Sequence, residues 1–447
     1  MCIRDRLIIA LEPEAASVYC KTLQLKNCIV PKQYILPGST PSPSTGAPRY
    51  SSSSLSGEST DHSGYSTPEL TDITKCAADI HPGVKYLVAD CGGGTVDLTV
   101  HHVEKNGQLK ELYKASGGAC GSIGVDCEFE MLLVSIFGEI FIEEFIKSHP
   151  ISWLELMKSF EAKKRSFDPA RKHPSNISLP YAFIDTFHKT TRRTVKHAVI
   201  SYGDANIQWS TQGMLRILPE VMMRLFEPVI KTIVKYIHKV IAHPDVGKIE
   251  YAFLVGGFSE SPVLQKALHS EFDDKLHIII PQDVSLCILK GAVMFGIDPS
   301  LVRIRRSAAT YGVACLNKYD PMNHPARKKV VKDGNEWCTD VFDTFVHSNQ
   351  SISHGYCITR CYNPARSDIR STVITLFASD RQSVKFITDP GVWKVGELRL
   401  EMPDITEGRN RELRMTMIFG DTEISVKAVD CSSGQTASAH INFLYKQ

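Results

Sequence analysis

The stretch "VKYLVADCGGGTVDLTV", residues 84–100, limits what this chain can become more than any other. Its first half is a continuous apolar run ending on Asp90, which predicts a strand buried on both faces. Gly92, Gly93 and Gly94 follow, and a second apolar run begins at Val96. Glycine weakens a strand, so three in succession mark a turn that needs bare backbone. Asp90, Thr95 and Asp97 flank that turn. Backbone N–H groups approach phosphate oxygens closely only where side chains are absent. Two carboxylates suit a hydrated magnesium ion, which takes few direct protein ligands. Taken alone, the stretch is open to two readings, a phosphate turn and a structural bend.

A second glycine pair narrows the choice. In "FLVGGFSESP" an apolar run meets Gly256 and Gly257, then Ser259 and the start of a predicted helix. A strand–glycine–helix turn is a natural nucleotide approach, although this one is neither a P-loop nor a Rossmann fingerprint. On another predicted helix, Glu161, Lys164 and Arg165 stand at i, i+3 and i+4 and share one face. That face reads equally as a solvated surface or as a ligand contact.

Composition removes several classes. Basic and acidic residues number 51 and 49, which gives no basic surface for nucleic acid or anionic membrane. The 13 cysteines lack CxxC or zinc spacing, so reduced thiols in a cytoplasmic or nuclear setting are expected. No run of about 18 apolar residues exists, and no membrane span is expected. The histidines, His101 and His102 among them, lack metal-ligand spacing and read as surface or packing residues. Cys91 reads as a small buried residue. Nothing in the sequence specifies an oligomeric state.

Residues 1–6, "MCIRDR", read as a non-native start of a truncated chain. Ser, Thr, Pro and Gly supply 23 of the 32 residues 38–69, which predicts a disordered insertion. Thr40, Ser42 and Thr67 precede proline there and are candidate phosphorylation sites. The pattern then predicts a strand over "VKYLVAD" and a hairpin turning at Asn106-Gly107. One helix is expected over 128–148 and a second over 153–167. A third should carry Val229 to Ile241, with Pro228 in its first turn. A strand–turn–helix follows over 249–268, and another helix over "VSLCILKGAVMFG". Short β-type runs dominate after about residue 305. They include "VKFITD" and end with "TASAHINFLY".

The order of "ALEPEAAS", "VADCGGGTVDLTV", "GSIGVD", "FEAKKRSF", "FLVGGFSESPVLQKAL" and "ILKGAVMFG" resembles the actin-like ATPase superfamily. Within it, the chain most resembles the seventy-kilodalton heat-shock chaperones, and among those an atypical branch with a Ser-rich insertion. The resemblance implies a partial actin-like α/β nucleotide-binding domain of ribonuclease-H-like lobes at 7–302 and a linker at 303–306. An all-β sandwich without a helical lid is implied at 307–447. The implied ligands are ATP or ADP with Mg2+. Asp90 and Asp97 would face the metal through water. Asp90, Thr95 and Asp97 would be the catalytic candidates. Gly92, Gly93, Gly94 and Thr95 would meet the phosphates, with Gly121 and Asp126 on a second phosphate-side motif. Glu161, Lys164, Arg165, Gly256, Gly257 and Ser259 would line the adenosine. "ALEPEAAS" and "ILKGAVMFG" would be the helices that couple the lobes.

Departures from the family's pattern matter as well. The first phosphate loop lies upstream of "ALEPEAAS" in the family. Glu260 stands where the family uses an arginine on adenine, and only Gly121 and Asp126 remain of the second motif. The resemblance therefore implies an ATP-binding, chaperone-like protein with weak or no hydrolysis, acting on peptide or protein clients. The alternative is a non-catalytic scaffold that works through signalling partners. A sugar kinase is disfavoured because a β-sandwich replaces the substrate-closing helices.

Overall fold

The structure is a computed structural model that describes residues 10–23, 28–29, 80–332, 334–364, 366–419 and 423–442. The expected non-native start and the Ser-rich insertion with Thr40, Ser42 and Thr67 lie outside the described residues.

In chain order the first elements are α1 (Glu12–Lys21), β1 (Cys28–Ile29), β2 (Lys85–Cys91), β3 (Val96–Val103) and β4 (Leu109–Gly118). Next come α2 (Ile123–Phe137), α3 (Glu139–Ser148), α4 (Pro150–Arg165), β5 (Ser175–Ser178), α5 (Tyr181–Thr191) and α6 (Val195–Tyr202). Then follow β6 (Ile207–Ser210), β7 (Met214–Ile217), α7 (Pro219–Ile241), β8 (Tyr251–Val255), α8 (Pro262–Phe272), β9 (His277–Pro281), α9 (Cys287–Ile297) and β10 (Val302–Arg306). The β-rich remainder holds β11 (Thr310–Lys318), β12 (Lys329–Lys332), β13 (Asn335–Val346), β14 (Ser351–Ser353) and β15 (Tyr356–Tyr362). It closes with β16 (Ser371–Ser379), β17 (Val392–Glu401), β18 (Leu413–Phe419), β19 (Glu423–Asp430) and β20 (Thr436–Asn442).

A mixed sheet in the order β1-β9-β8-β2-β3-β4-β10-β14 organises the first part. The strand β2 is central because it can be buried twice. Leu87, Ala89 and Cys91 join the core beneath α2, α7 and α8. Tyr86 and Val88 point the other way, into a core shared with α1 and α9. A period of two on an all-apolar strand feeds both cores. The helices α1 and α9 cross at Gly291, where a Cβ would lie 1.7 Å from the Ala15 carbonyl oxygen. Only glycine permits that approach. Past β10 the strands other than β14 form two further sheets, β12-β13-β11-β16-β17 and β15-β18-β19-β20, around a shared apolar core. A helix-covered mixed sheet followed by all-β sheets fits an actin-like ATPase lobe plus a β domain.

Several expected elements shift. The single helix over 128–148 is two helices, because Gly138 takes φ 92 between α2 and α3. Pro228 lies inside α7, and Pro219 holds the first turn instead. The run "VKFITD" forms no strand and contributes one isolated bridge, Val341 to Phe386. Residues 303–306, the expected linker, lie within β10, which pairs parallel with β4 and antiparallel with β14. Val302 and Arg305 are buried in this strand, while Arg303 is exposed. The Arg305 guanidinium meets the Glu14 carboxylate of α1 at 2.5 and 3.2 Å, both side chains being buried.

His101 lies beside that ion pair, fully buried and stacked on Tyr86 with ring centroids 6.0 Å apart. Neither ring nitrogen finds a partner among the described residues. Burial, and then the Arg305 charge, push its imidazole down to about 3. The unfolded chain binds a proton there below about pH 6.5 while the folded chain does not, so acid removes stability. The loss at pH 5 is roughly 2 kcal/mol. His101→Phe is expected to shrink the difference in urea-unfolding free energy between pH 7.5 and pH 5 by about that amount. An unchanged difference would mean that His101 does not stay neutral in the folded chain.

Candidate functional site

The glycine turn is built from the backbone. Gly92 N–H donates to the Thr95 carbonyl at 2.9 Å and closes the turn between β2 and β3. The start of α2 then consumes its carbonyls. Ser122 N–H donates to Gly92 O at 3.1 Å, Ile123 N–H to Gly93 O at 2.8 Å, and Gly121 N–H to Gly94 O at 3.2 Å. Gly121 must be glycine for this docking, because a Cβ there would stand 2.4 Å from Gly93 O. The N–H groups of Gly93, Gly94 and Thr95 donate to nothing among the described residues, and all three residues are exposed. Consecutive free N–H groups on a turn whose carbonyls are occupied form an anion-binding concavity.

Beside this turn lies a carboxylate cluster. Asp90 and Asp97 are directly opposed across the β2–β3 ladder, so their side chains share one face. Asp90 is 5% exposed. Burial, with the negative charges of Glu12 and Asp97, pushes its carboxyl up to about 6. No hydrogen-bond donor reaches that carboxylate among the described residues. Gly256, at φ 82, brings the second glycine turn against it: a Cβ there would meet Asp90 Oδ1 at 2.4 Å and Cys91 O at 2.6 Å. Like charges held together without donors call for a cation. No three His, Cys, Asp or Glu side chains among the described residues converge as a closed metal site. An open oxygen site of this kind suits magnesium that keeps its waters.

The remaining candidates fall into two groups. Lys164 is 4% exposed and pairs with Asp126 at 2.6 Å and Glu161 at 2.5 Å, while donating to Ser122 O at 3.2 Å. It thus ties α4 to the beginning of α2. Burial raises the Asp126 carboxyl more than Lys164 lowers it. Burial also pushes Glu161 up, but hydrogen bonds from Lys164 and Arg165 outweigh it and hold that carboxyl below its usual value. Arg165 is exposed, bonds Glu161 at 2.7 Å and feels the charge of Glu260. The α4 face and the turn that carries Glu260 therefore lie within range of each other's charge. Gly257 is exposed, whereas Ser259 is fully buried and donates through Oγ to Val255 O at 2.6 Å. Cys91 is fully buried, and burial pushes its thiol up to about 12.

A second concavity of ≈ 870 Å³ opens between the β-sheets. Leu316, Trp337, Tyr362, Val373 and Leu413 give it an apolar floor. The pairing of β11 with β13 slips between Cys315 and Asn317, and Asp340 takes φ 59 at the same place. Such a bulge redirects side chains, here those of Thr339 and Asp340, into the cavity lining.

No family model matches the chain. Among curated proteins it is 44% identical over 447 residues to heat shock 70 kDa protein 12A of Mus musculus, an alignment covering 98% of this chain. The human 12A protein is 45% identical over 448 residues and human 12B is 44% identical over 455, each again covering 98% of the chain. The chain is a relative of the atypical heat shock 70 kDa proteins. It spans 66% of the length of each of these relatives, just under two thirds.

In this heat-shock 70 relative, sequence reasoning missed Glu12, whose place in the first turn of α1 brings its charge to Asp90. The "LEPE" spelling, acid at a helix start, was the available signal. It also missed the cavity residues Trp337 and Asp340, because a bulge leaves no periodic trace. No helix among the described residues is long and apolar enough to cross a membrane.

Proposed function

We propose that the chain binds ATP or ADP with Mg2+ at the Gly92–Thr95 turn and holds extended peptide segments in the β-sheet cavity. The observation that carries the nucleotide reading is the turn itself. The carbonyls of Gly92, Gly93 and Gly94 are spent on residues 121–123, the N–H groups of Gly93, Gly94 and Thr95 are exposed and donate to nothing among the described residues, and an undonated buried carboxylate stands beside them. The residues fit the group that the family implies. Gly93, Gly94 and Thr95 would hold phosphate oxygens, and Asp90 with Asp97 would hold the magnesium through water. Bound magnesium would neutralise phosphate charge. Asp126 and Lys164 set the angle between α2 and α4. The Glu161–Arg165 pair and the Gly256–Gly257 turn would face the adenosine. The cavity volume lies within the usual range of ligand pockets, and its apolar floor suits an anchor side chain of an extended peptide. Protein clients follow from that reading, and turnover of ATP is slow or absent.

Calorimetry with MgADP on the chain and on Asp90→Asn tests it. The folded carboxyl at about 6 sits above the unfolded value near 3.9, so the charged form costs the nucleotide-free fold roughly 3 kcal/mol above pH 6. Asp90→Asn is expected to stabilise the nucleotide-free chain by about 2 kcal/mol at pH 7.5, a gain that fades as pH falls from 6 toward 4. The same change is expected to weaken MgADP binding about tenfold or more. Equal MgADP affinity in the two proteins would sink the reading. Binding that depends on Asp90, with no phosphate released when MgATP is supplied, would favour the scaffold over the ATPase.

A further inference from the structure

Between α5 and α6 the chain bends through Arg192 and Arg193, and this elbow carries charge that its neighbourhood leaves uncancelled. From Thr186 to Gly203 there is no Asp or Glu, while His188, Lys189, Arg192, Arg193, Lys196 and His197 all fall in that span. All six are exposed. Asp185 neutralises Lys189 at 2.8 Å. Arg192, Arg193 and Lys196 make no ion pair among the described residues. The whole chain is nearly balanced in charge, so the elbow is a local concentration.

The elbow is held still. Arg192 takes φ 57, a left-handed conformation uncommon for a residue with a Cβ, and its N–H donates to His188 O at 2.9 Å. Thr191 Oγ1 donates to Phe187 O at 2.7 Å and accepts from Arg193 N–H at 3.2 Å. Thr194 Oγ1 accepts from His197 N–H at 3.2 Å and caps α6. Phe183, Phe187, Val195 and Val199 anchor both helices in the core. The positive end of α6 adds to the local potential. On α6, Lys196 and His197 stand four and three residues before Ile200, and Ile200 is 67% exposed.

We propose that this face docks an acidic peptide segment carrying one apolar residue. The unpaired cations match a short run of Asp or Glu, and Ile200 offers the partner's aliphatic side chain a contact. A rigid surface loses little entropy on binding. Duplex nucleic acid fits less well, since its binders make about six to ten phosphate contacts and this face offers only Arg192, Arg193 and Lys196. The surface shares no residue with the Asp90 turn or the β-sheet cavity, so the proposal does not rest on nucleotide binding.

Fluorescence anisotropy with the full chain and a fluorescein-labelled decapeptide of glutamates around one leucine tests the proposal. R193E/K196E is expected to weaken binding about tenfold or more at low salt. K235E/K239E, an equal charge change on exposed positions of α7, should change it less than about twofold. Ile200→Ser, which leaves the charge untouched, is expected to weaken it about threefold. Circular-dichroism melts of the variants check that these surface changes leave the fold intact. No binding by the parent chain overturns the proposal. So do equal losses from the two charge reversals, an unaffected Ile200→Ser, or displacement of the peptide by a lower concentration of a single-stranded oligonucleotide.

Discussion

Arg411→Met is expected to lower the unfolding free energy by on the order of 4 kcal/mol. Arg411 is fully buried. Among the described residues its guanidinium bonds carbonyls and no carboxylate oxygen: Gly408 O at 2.8 Å, Ile369 O at 2.9 Å, Ser367 O at 3.0 Å, Asp404 O at 3.1 Å and Met402 O at 3.4 Å. Its own carbonyl accepts from Asn363 Nδ2 at 3.0 Å. Methionine matches the length but supplies no donor, so those carbonyls would lose their partners inside the fold. The two segments they belong to, 363–370 and 402–411, also supply Asn363, Pro364, Arg409 and Asn410 to the rim of the cavity. Urea unfolding should therefore show the large loss. Hydrogen exchange should place the loosening in these two segments before the sheets themselves. A loss under about 1 kcal/mol would mean that water reaches the carbonyls and replaces the arginine.

Arg305→Met is the second large effect, about 3–5 kcal/mol, because it strands the Glu14 carboxylate at 2% exposure. The direct cost of losing the pair is smaller than the cost of an uncompensated buried charge. Removing both partners, as Glu14→Leu with Arg305→Met, should recover much of the loss. A double-mutant cycle by urea unfolding reads this, and additive losses would show that the two side chains do not act as a pair. The result bears on how β10 is held. Arg306 N–H donates to the Glu111 carboxylate at 2.7 Å, Lys114 Nζ to Ala308 O at 2.8 Å, and Arg306 Nη1 to Asn349 O at 3.0 Å. The segment between the mixed sheet and the β-sheets is thus bonded on both sides.

Much of the geometry of the two glycine turns is legible in the sequence, and the reason is local. A double-buried strand needs an unbroken apolar run, and "KYLVADC" has one. A turn that presents bare N–H groups needs glycines, and "GGG" has them. A tight strand–helix turn at positive φ needs a glycine such as Gly256. Each requirement is met within a few residues, so each leaves a mark in the sequence. Lys164 shows the opposite case. Spacing placed it on a helix face with Glu161 and Arg165, but could not say which way that face turned. Its burial against Asp126 and Ser122 O depends on where α2 begins, which depends in turn on Gly121 docking onto the glycine turn.

The β-rich part was legible as strands and illegible as a surface. Alternation revealed most of the strand runs. The cavity arises from a register slip opposite Leu316 and from an arginine that gathers carbonyls of two distant segments. Neither has a period. The run "RIRR" reads as a charged link because three of its four residues are arginines, and two of them, Arg303 and Arg306, are at least partly solvated. Its third, Arg305, is buried only because α1 brings Glu14 to it across 291 positions of sequence. The sequence by itself determined the α/β-then-β order of the chain, its glycine turns and the carboxylates beside them, since these rest on backbone sterics and short-range periodicity. Tertiary structure alone decided which charges are buried as pairs, which N–H groups stay free and where the β-sheets open, because burial and hydrogen-bond partners are set by residues far apart in the chain.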